Sequence, residues 1–574
     1  MFKAKRKIFS FFFLFLFAFF LSSFFANTVF AQAETKFFNI NSSYDLYGRR
    51  EIEATLVRTT DNLYFYLEKT WWEGFSSQNQ NDIKIALFEL GEEFKNKIYP
   101  VLTSTFGSEP KPGIDGDERI TVLIHQMKRD AGGYFNSGDV YSKIQSPKSN
   151  EREMVYLNSQ YIDKPELKSL LSHEFIHLIT INQKDLLRGV AEEVWLNEAR
   201  AEYAPTLLGY DDVYKGSNLE KRVRQFLLTP SDSLVVWQDT KEDYGVLNLF
   251  IQYLVEHYGK KILVDSLFSS KIGIASLNEA LLKNNFKEDF AQIFSDWTIT
   301  ILSNDCNLGM KYCYLNKNLK DLRVTPSFYY LPKTETILST YYSATYWSAN
   351  WYRFIGGQSN FNLKFDGADS VEFEVSYLLC DFKDVCSVGL LSLDNKQSGS
   401  IILPGFSEKY SSLTIVPFIK NKTYGFNNKE TFFPFSWEVS VRKESGVENE
   451  AELVKQLLAQ IEELKRQIAQ YQAKTGGILP DKSAACLEIK NNLYFGMRNN
   501  QEVSCLQAFL KNQGNDIYPE GLVTGNFLDL TKAAVIRFQE KYASEILTPL
   551  ELTKGTGIVG KATANKINFI LRNQ

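Results

Sequence analysis

The chain has 574 residues, a formal net charge of −4 and 44% hydrophobic residues. That length accommodates three or four domains with packed cores. The near-balanced charge argues against nucleic acid or another polyanion as a partner.

The chain opens on an export signal over residues 1–33. Lys3, Lys5, Arg6 and Lys7 form a basic start, Ile8 to Phe25 is apolar apart from serines, and Ala31-Gln32-Ala33 offers a small-x-small cleavage site. An uncleaved membrane anchor is the alternative, because an apolar run of about 18 residues approaches the length of a bilayer span. No cysteine follows the run, which argues against a lipoprotein. Residues 34–80 form a β-rich segment, in which two apolar runs joined by Thr59-Thr60-Asp61-Asn62 predict a hairpin. Residues 81–100 predict a helix ending at Pro100. Asp115, Asp117 and Glu118 then precede the strand-like ITVLIH. Their loop is either a plain Asp-Gly turn or a Ca2+ loop, and it lacks the full EF-hand ladder. AGGYFNSGDVY and EREMVYLNS predict further strands.

The segment LKSLLSHEFIHLITINQ predicts a helix, with no Gly or Pro inside it. His173 and His177 stand one turn apart on one face and can offer two imidazole nitrogens to one metal ion. Glu174 lies about 100° around the helix from His173, where a general base stands without ligating. A third ligand must come from elsewhere, and Glu198, in the helix-compatible AEEVWLNEARAEYAPTLL, is the candidate. Glu202, one turn on, can hold the other ring nitrogen of a metal-bound histidine. Histidine is scarce, with four in the chain. His125 reads as structural, and His257, near a helix C-terminus, as an imidazolium favoured by the helix dipole, with a general acid or donor as the alternative. Residues 240–300 return to helical patterning that ends near Trp297.

His173-Glu174-x-x-His177 followed by Asn197-Glu198-x-x-x-Glu202 resembles the gluzincins, the thermolysin-like zinc peptidases, and among them the hyicolysin-like peptidases. The resemblance covers roughly residues 90–300. It implies Zn2+ on His173, His177 and Glu198, general base Glu174, second-sphere Glu202, and hydrolysis of peptide bonds by zinc-activated water. It also points to Tyr244 as a catalytic donor to the developing oxyanion, against a buried structural tyrosine. The zincin-type catalytic domain is placed at 81–319, in an α+β multidomain chain. The HExxHxxGxxH pattern of other zinc proteases is absent, since LITINQ follows His177.

Residues 320–443 change to short alternating runs separated by Gly, Asn, Asp and Ser, an antiparallel β-sandwich pattern. Such a module binds substrate or carbohydrate, or only braces the enzyme. In the linker at 444–477, Val454, Leu457, Ile461, Leu464, Ile468 and Tyr471 recur at alternating three and four. Residues 447–471 are therefore either a parallel homodimeric coiled coil or a single helical spacer. Residues 478–574 resemble the three-helix peptidoglycan-binding domain, through VSCLQAFL, TGNFLDLTKAAVIRFQ and GIVGKATANKI. Two departures from that pattern are Leu528 after Phe527 and Asn499-Asn500, where glycine is common. The six cysteines form three local couples, Cys306/Cys313, Cys380/Cys386 and Cys486/Cys505, read as disulfides of an exported protein.

These readings predict an extracytoplasmic zinc metalloendopeptidase acting on protein or peptide and tethered to peptidoglycan. A peptidoglycan stem-peptide endopeptidase and a non-catalytic wall protein are the alternatives.

Overall fold

The computed structural model describes residues 34–426, 429–442, 488–497, 500–550 and 552–572. The expected export signal, the heptad segment and Cys486 lie outside them. The chain divides into two compact units, 1–444 and 445–574.

The first unit mixes α and β structure around a six-stranded sheet of β1 (Thr35–Asn39), β2 (Glu51–Thr59), β3 (Leu63–Glu68), β4 (Ile120–His125), β5 (Gly133–Tyr134) and β6 (Met154–Asn158). Its order is β1-β2-β3-β4-β6-β5. The β2/β3 hairpin is antiparallel, as its Thr-Thr-Asp-Asn link predicts, whereas β3/β4 and β4/β6 are parallel. Parallel strands bury both faces. Accordingly Phe65, Val122 and Leu157 enter a large core against the helices, while Tyr66, Leu123 and Tyr156 enter a smaller core on the other face. The boundary expected between residues 80 and 81 thus crosses a single sheet and a single core.

Helix α1 (Ser77–Glu93) does not stop at Pro100. A π-helical turn at Phe94–Ile98 leads into α2 (Tyr99–Phe106), with the proline in its first turn. Proline is tolerated there because the first-turn N–H groups have no intrahelical partner. The site helices are α3 (Glu166–Thr180), α4 (Val194–Leu207), α5 (Asn218–Leu228) and α6 (Lys241–Tyr258). Three further helices follow, α7 (Lys261–Leu267), α8 (Gly273–Lys283) and α9 (Phe290–Ser303). The last passes Trp297 and ends where Asn304 adopts a left-handed conformation (φ 45°).

Nine strands then form two sheets around one aromatic core. They are β7 (Ser327–Leu331), β8 (Thr336–Ala344), β9 (Tyr352–Gly356), β10 (Asn360–Gly367), β11 (Phe373–Asp381), β12 (Cys386–Leu390), β13 (Ser398–Pro404), β14 (Tyr410–Ile419) and β15 (Phe433–Arg442). The sheet orders are β13-β10-β15-β8 and β12-β11-β14-β9-β7. One pair departs from the antiparallel expectation: β7 runs parallel to β9. The five-stranded sheet is packed on the helical lobe. Leu378, Val416 and Phe418 join the helical core, and Ser376 hydrogen-bonds Ser295 of α9 at 2.7 Å. Disulfides join Cys306 to Cys313 and Cys380 to Cys386.

In the second unit, α10 (Gln501–Asn512), α11 (Asp529–Lys541) and α12 (Lys561–Arg572) enclose an apolar core. A repeat not singled out from the sequence organises it. Gln507 donates to Asn526 O and Thr531 Oγ1 (2.9 and 2.8 Å) and accepts from Gly525 N (2.9 Å). Gln539 does the same with Ile558 O, Thr563 Oγ1 and Gly557 N (2.8, 2.9 and 2.9 Å). Leu528 sits at an ordinary extended conformation (φ −112°), so glycine is not required there. Among the described residues no helix is long and apolar enough to cross a membrane.

Candidate metal centre

Helices α3 and α4 pack side by side and bring the two sequence motifs together. One ligand atom from each of His173, His177 and Glu198 falls in a set whose members lie within 4.8 Å of one another. His173 Nε2 is 3.3 Å from Glu198 Oε2, and His177 Nε2 is 3.5 Å from Glu198 Oε1. Glu198 Oε2 is buried without a hydrogen-bond partner. Leaving a buried carboxylate oxygen unsatisfied is costly, so the donor set fits a cation at this point. Two imidazoles and one carboxylate suit zinc and leave a position open for substrate chemistry.

The second ring nitrogen of His173 lies 3.4 Å from Glu202 Oε1, as the helix-turn spacing predicts. Sequence reasoning missed the group that holds Glu202. Arg222 of α5 is 8% exposed and pairs with it through two nitrogens, Nη2 on Oε1 and Nε on Oε2 at 2.8 Å. Asn218 and Asn248 also donate to Glu202 Oε2, at 2.9 and 3.2 Å. No short motif links these residues, because they come from two other helices.

Glu174 is buried beside His173 and the other two converging groups. Gly133 of β5 faces it: a Cβ there would stand 3.0 Å from Glu174 Oε1 and 2.6 Å from the Tyr156 carbonyl oxygen. β5 is the edge strand of its sheet and lines a cleft of about 350 Å³ with His173, Glu174, His177, Glu198 and Tyr244. Tyr244, in the first turn of α6, stacks beneath the Arg222 guanidinium (4.4 Å) and against the edge of Trp237 (4.8 Å). His125 and His257 stand apart from the cleft. His125 is fully buried, with Nδ1 3.5 Å from Asp45. His257 Nε2 meets the Cys313 carbonyl at 3.0 Å, and burial lowers its pKa. The expectation of an imidazolium at the end of α6 is therefore corrected, because desolvation opposes the charge there.

Burial raises Glu174 to about 8, with Glu198 adding to the rise and His173 opposing it. Burial would lower His173, but contacts with Glu198 and Glu202 override it and raise it to about 10. Burial lowers His177, leaving a neutral ligand. A cation on this donor set competes with the His173 proton, because a metal-binding imidazole must be neutral. Zinc loading at pH 7 should therefore release at least one proton, and apparent zinc affinity should weaken as pH falls. Calorimetric titration in buffers of different ionisation enthalpy measures this; buffer-independent heats would contradict it.

No protein-family model matches the chain. It is 33% identical over 190 residues to the neutral metalloprotease ShpI of Staphylococcus hyicus, a match covering 29% of this chain and 41% of ShpI. The chain thus spans about two-fifths of that relative, and the similarity supports a metallopeptidase. Among solved structures, the pre-peptidase C-terminal domain of Bacillus anthracis collagenase is 9% identical, covering 20% of this chain and 94% of its own at a TM-score of 0.14. The lysozyme inhibitor PliG of Aeromonas hydrophila is 11% identical, covering 21% and 100% at a TM-score of 0.14. Likenesses at that TM-score carry no argument.

Proposed function

We propose that the chain is an exported zinc metalloendopeptidase held at the cell envelope by residues 478–574. The observation that carries the enzyme reading is the meeting of His173, His177 and Glu198 beside the buried Glu174 in one cleft. Zinc bound by those three residues would supply Lewis acidity at the scissile carbonyl and lower the pKa of water.

The chain's own groups do the rest. The edge strand β5 offers unpaired backbone groups to an extended peptide, which adds to the sheet as a further strand. Gly133 leaves room for the Glu174 carboxylate beside that strand. Glu174 accepts the proton of the attacking water and delivers it to the leaving amine. Glu202, fixed by Arg222, orients His173. Tyr244 is held protonated, since burial and Glu198 raise its pKa far above the usual range. Its hydroxyl is the candidate donor to the tetrahedral oxyanion.

Removing one oxyanion donor costs about 10²–10³ in kcat. Tyr244→Phe should lose activity on that scale with KM and zinc content nearly unchanged, measured by steady-state peptide hydrolysis. An unchanged kcat would assign Tyr244 to packing.

The tether rests on the VSCLQAFL, TGNFLDLTKAAVIRFQ and GIVGKATANKI motifs, which place Val503, Leu506, Phe527, Phe538 and Val559 in the core of the second unit. A wall anchor would raise local enzyme concentration. Cleavage of casein against purified sacculi separates a protein substrate from cross-linked stem peptides. Cleavage of casein by the zinc-loaded chain supports the metalloendopeptidase; cleavage of sacculi alone would overturn it in favour of the peptidoglycan endopeptidase.

A further inference from the structure

The cleft does not stop at the three converging groups. Its lining continues past His177 to Ile181, Lys184 and Asp185, with Phe135 and Tyr141 contributed by the chain that follows β5. Here α3 passes into a second π-helical turn, Ile181–Leu186. Turns of this kind within a helix are frequent at functional sites.

The charges along this stretch are unequal in one respect. Lys184 is 1% exposed, pairs with Glu192 at 3.4 Å and donates to the Ser269 carbonyl at 3.0 Å. Glu192 pairs in turn with Arg200 at 2.8 Å. Arg188 donates to the carbonyl oxygens of Phe268 and Gln183. Asp185 has no such counterpart: it forms no ion pair among the described residues. Its Oδ1 accepts from the Tyr141 hydroxyl at 2.6 Å, which leaves Oδ2 without a protein donor among those residues. Burial and the Asp185 carboxylate raise Tyr141 to about 12, so at neutral pH its hydroxyl is a donor. That bond joins the two walls of the cleft and fixes the carboxylate between them.

The path from the converging groups to Asp185 is in part apolar. The Phe135 and His177 rings are stacked with centroids 6.3 Å apart, and Ile181 stands one helical turn past His177. Eight residues past His177, Asp185 lies at most about 12 Å from it along the helix. A side chain with a long apolar stem and a cationic end suits such a path, and lysine and arginine have that build.

Resting on the peptidase reading above, we infer that Asp185, positioned by Tyr141, receives a lysine or arginine side chain of the substrate and so directs cleavage to bonds near basic residues. A charge-assisted hydrogen bond to Asp185 Oδ2 holds that side chain. The buried Lys184–Glu192 pair, already satisfied within the protein, offers an acidic side chain no comparable partner.

The test profiles cleavage of a mixed peptide library by the zinc-loaded full chain, read by mass spectrometry. The expected result is enrichment of lysine and arginine at one fixed position relative to the cleaved bond. A peptide built on the preferred site is then compared with its norleucine counterpart. The lysine peptide should have the higher kcat/KM by about 10–100-fold, the span of a hydrogen bond to a charged group. Asp185→Asn keeps an acceptor for Tyr141 and should bring that ratio close to one, and Asp185→Glu should restore part of it. Hydrolysis by the parent without basic enrichment, or an unchanged ratio in Asp185→Asn, would overturn the subsite and leave the peptidase reading standing. No hydrolysis of any peptide would overturn both.

Discussion

Glu174→Gln should lower kcat by about 10²–10⁴, the contribution of a positioned general base, while zinc content and KM change little. The substitution keeps the shape of the side chain and removes its capacity to accept a proton. Glu174 sits on the face of α3 next to His173 without being one of the three converging donors, so the metal site should load normally. Gly133 leaves the same room for Gln as for Glu. Single-turnover hydrolysis beside metal analysis separates the outcomes. Substantial residual activity would remove Glu174 from the chemistry. Loss of zinc would make it a ligand or a support of one.

Arg222→Met should be the most destabilising single change at the site. It leaves the Glu202 carboxylate, 0% exposed, without the guanidinium that holds its pKa far below the usual range. Burial pushes that carboxyl the other way, so it must either stay charged in a dry environment or take up a proton. Breaking a buried ion pair from one side costs about 3–5 kcal/mol. The second consequence is at the metal: an unanchored Glu202 no longer orients His173, and loss of such an outer partner typically weakens zinc binding 10–100-fold. The double change Arg222→Met with Glu202→Gln should recover much of the stability without recovering zinc affinity. Chemical denaturation and zinc competition read the two effects separately. A near-neutral Arg222→Met would show that Asn218, Asn248 and His173 satisfy Glu202 without Arg222.

The residues that converge in the cleft were legible because their chemistry is short in sequence. One helix turn sets the two histidines, and the second helix sets Glu198 and Glu202. What fixes those groups was not legible. Arg222, Asn218 and Asn248 arrive from α5 and α6 through tertiary packing, which no local spacing encodes. Alternation located most strands, but pairing is a non-local property. The first three strands belong to the sheet of β4 and β6 rather than to a separate segment, and β7 pairs in parallel with β9. Pro100 misled in a specific way, since a π-helical turn supplies the new helix start that makes it tolerable. The repeat centred on Gln507 and Gln539 was legible and overlooked. Each glutamine reaches a threonine 24 positions on, a spacing that self-comparison of the chain would reveal.

The most direct test is metal removal and return on the purified chain. The account predicts one zinc per chain, loss of casein hydrolysis on chelation, and recovery on adding one equivalent of zinc to the parent but not to His173→Ala or Glu198→Ala. Full hydrolysis after the metal is gone, or one tightly bound zinc in both variants, would contradict it.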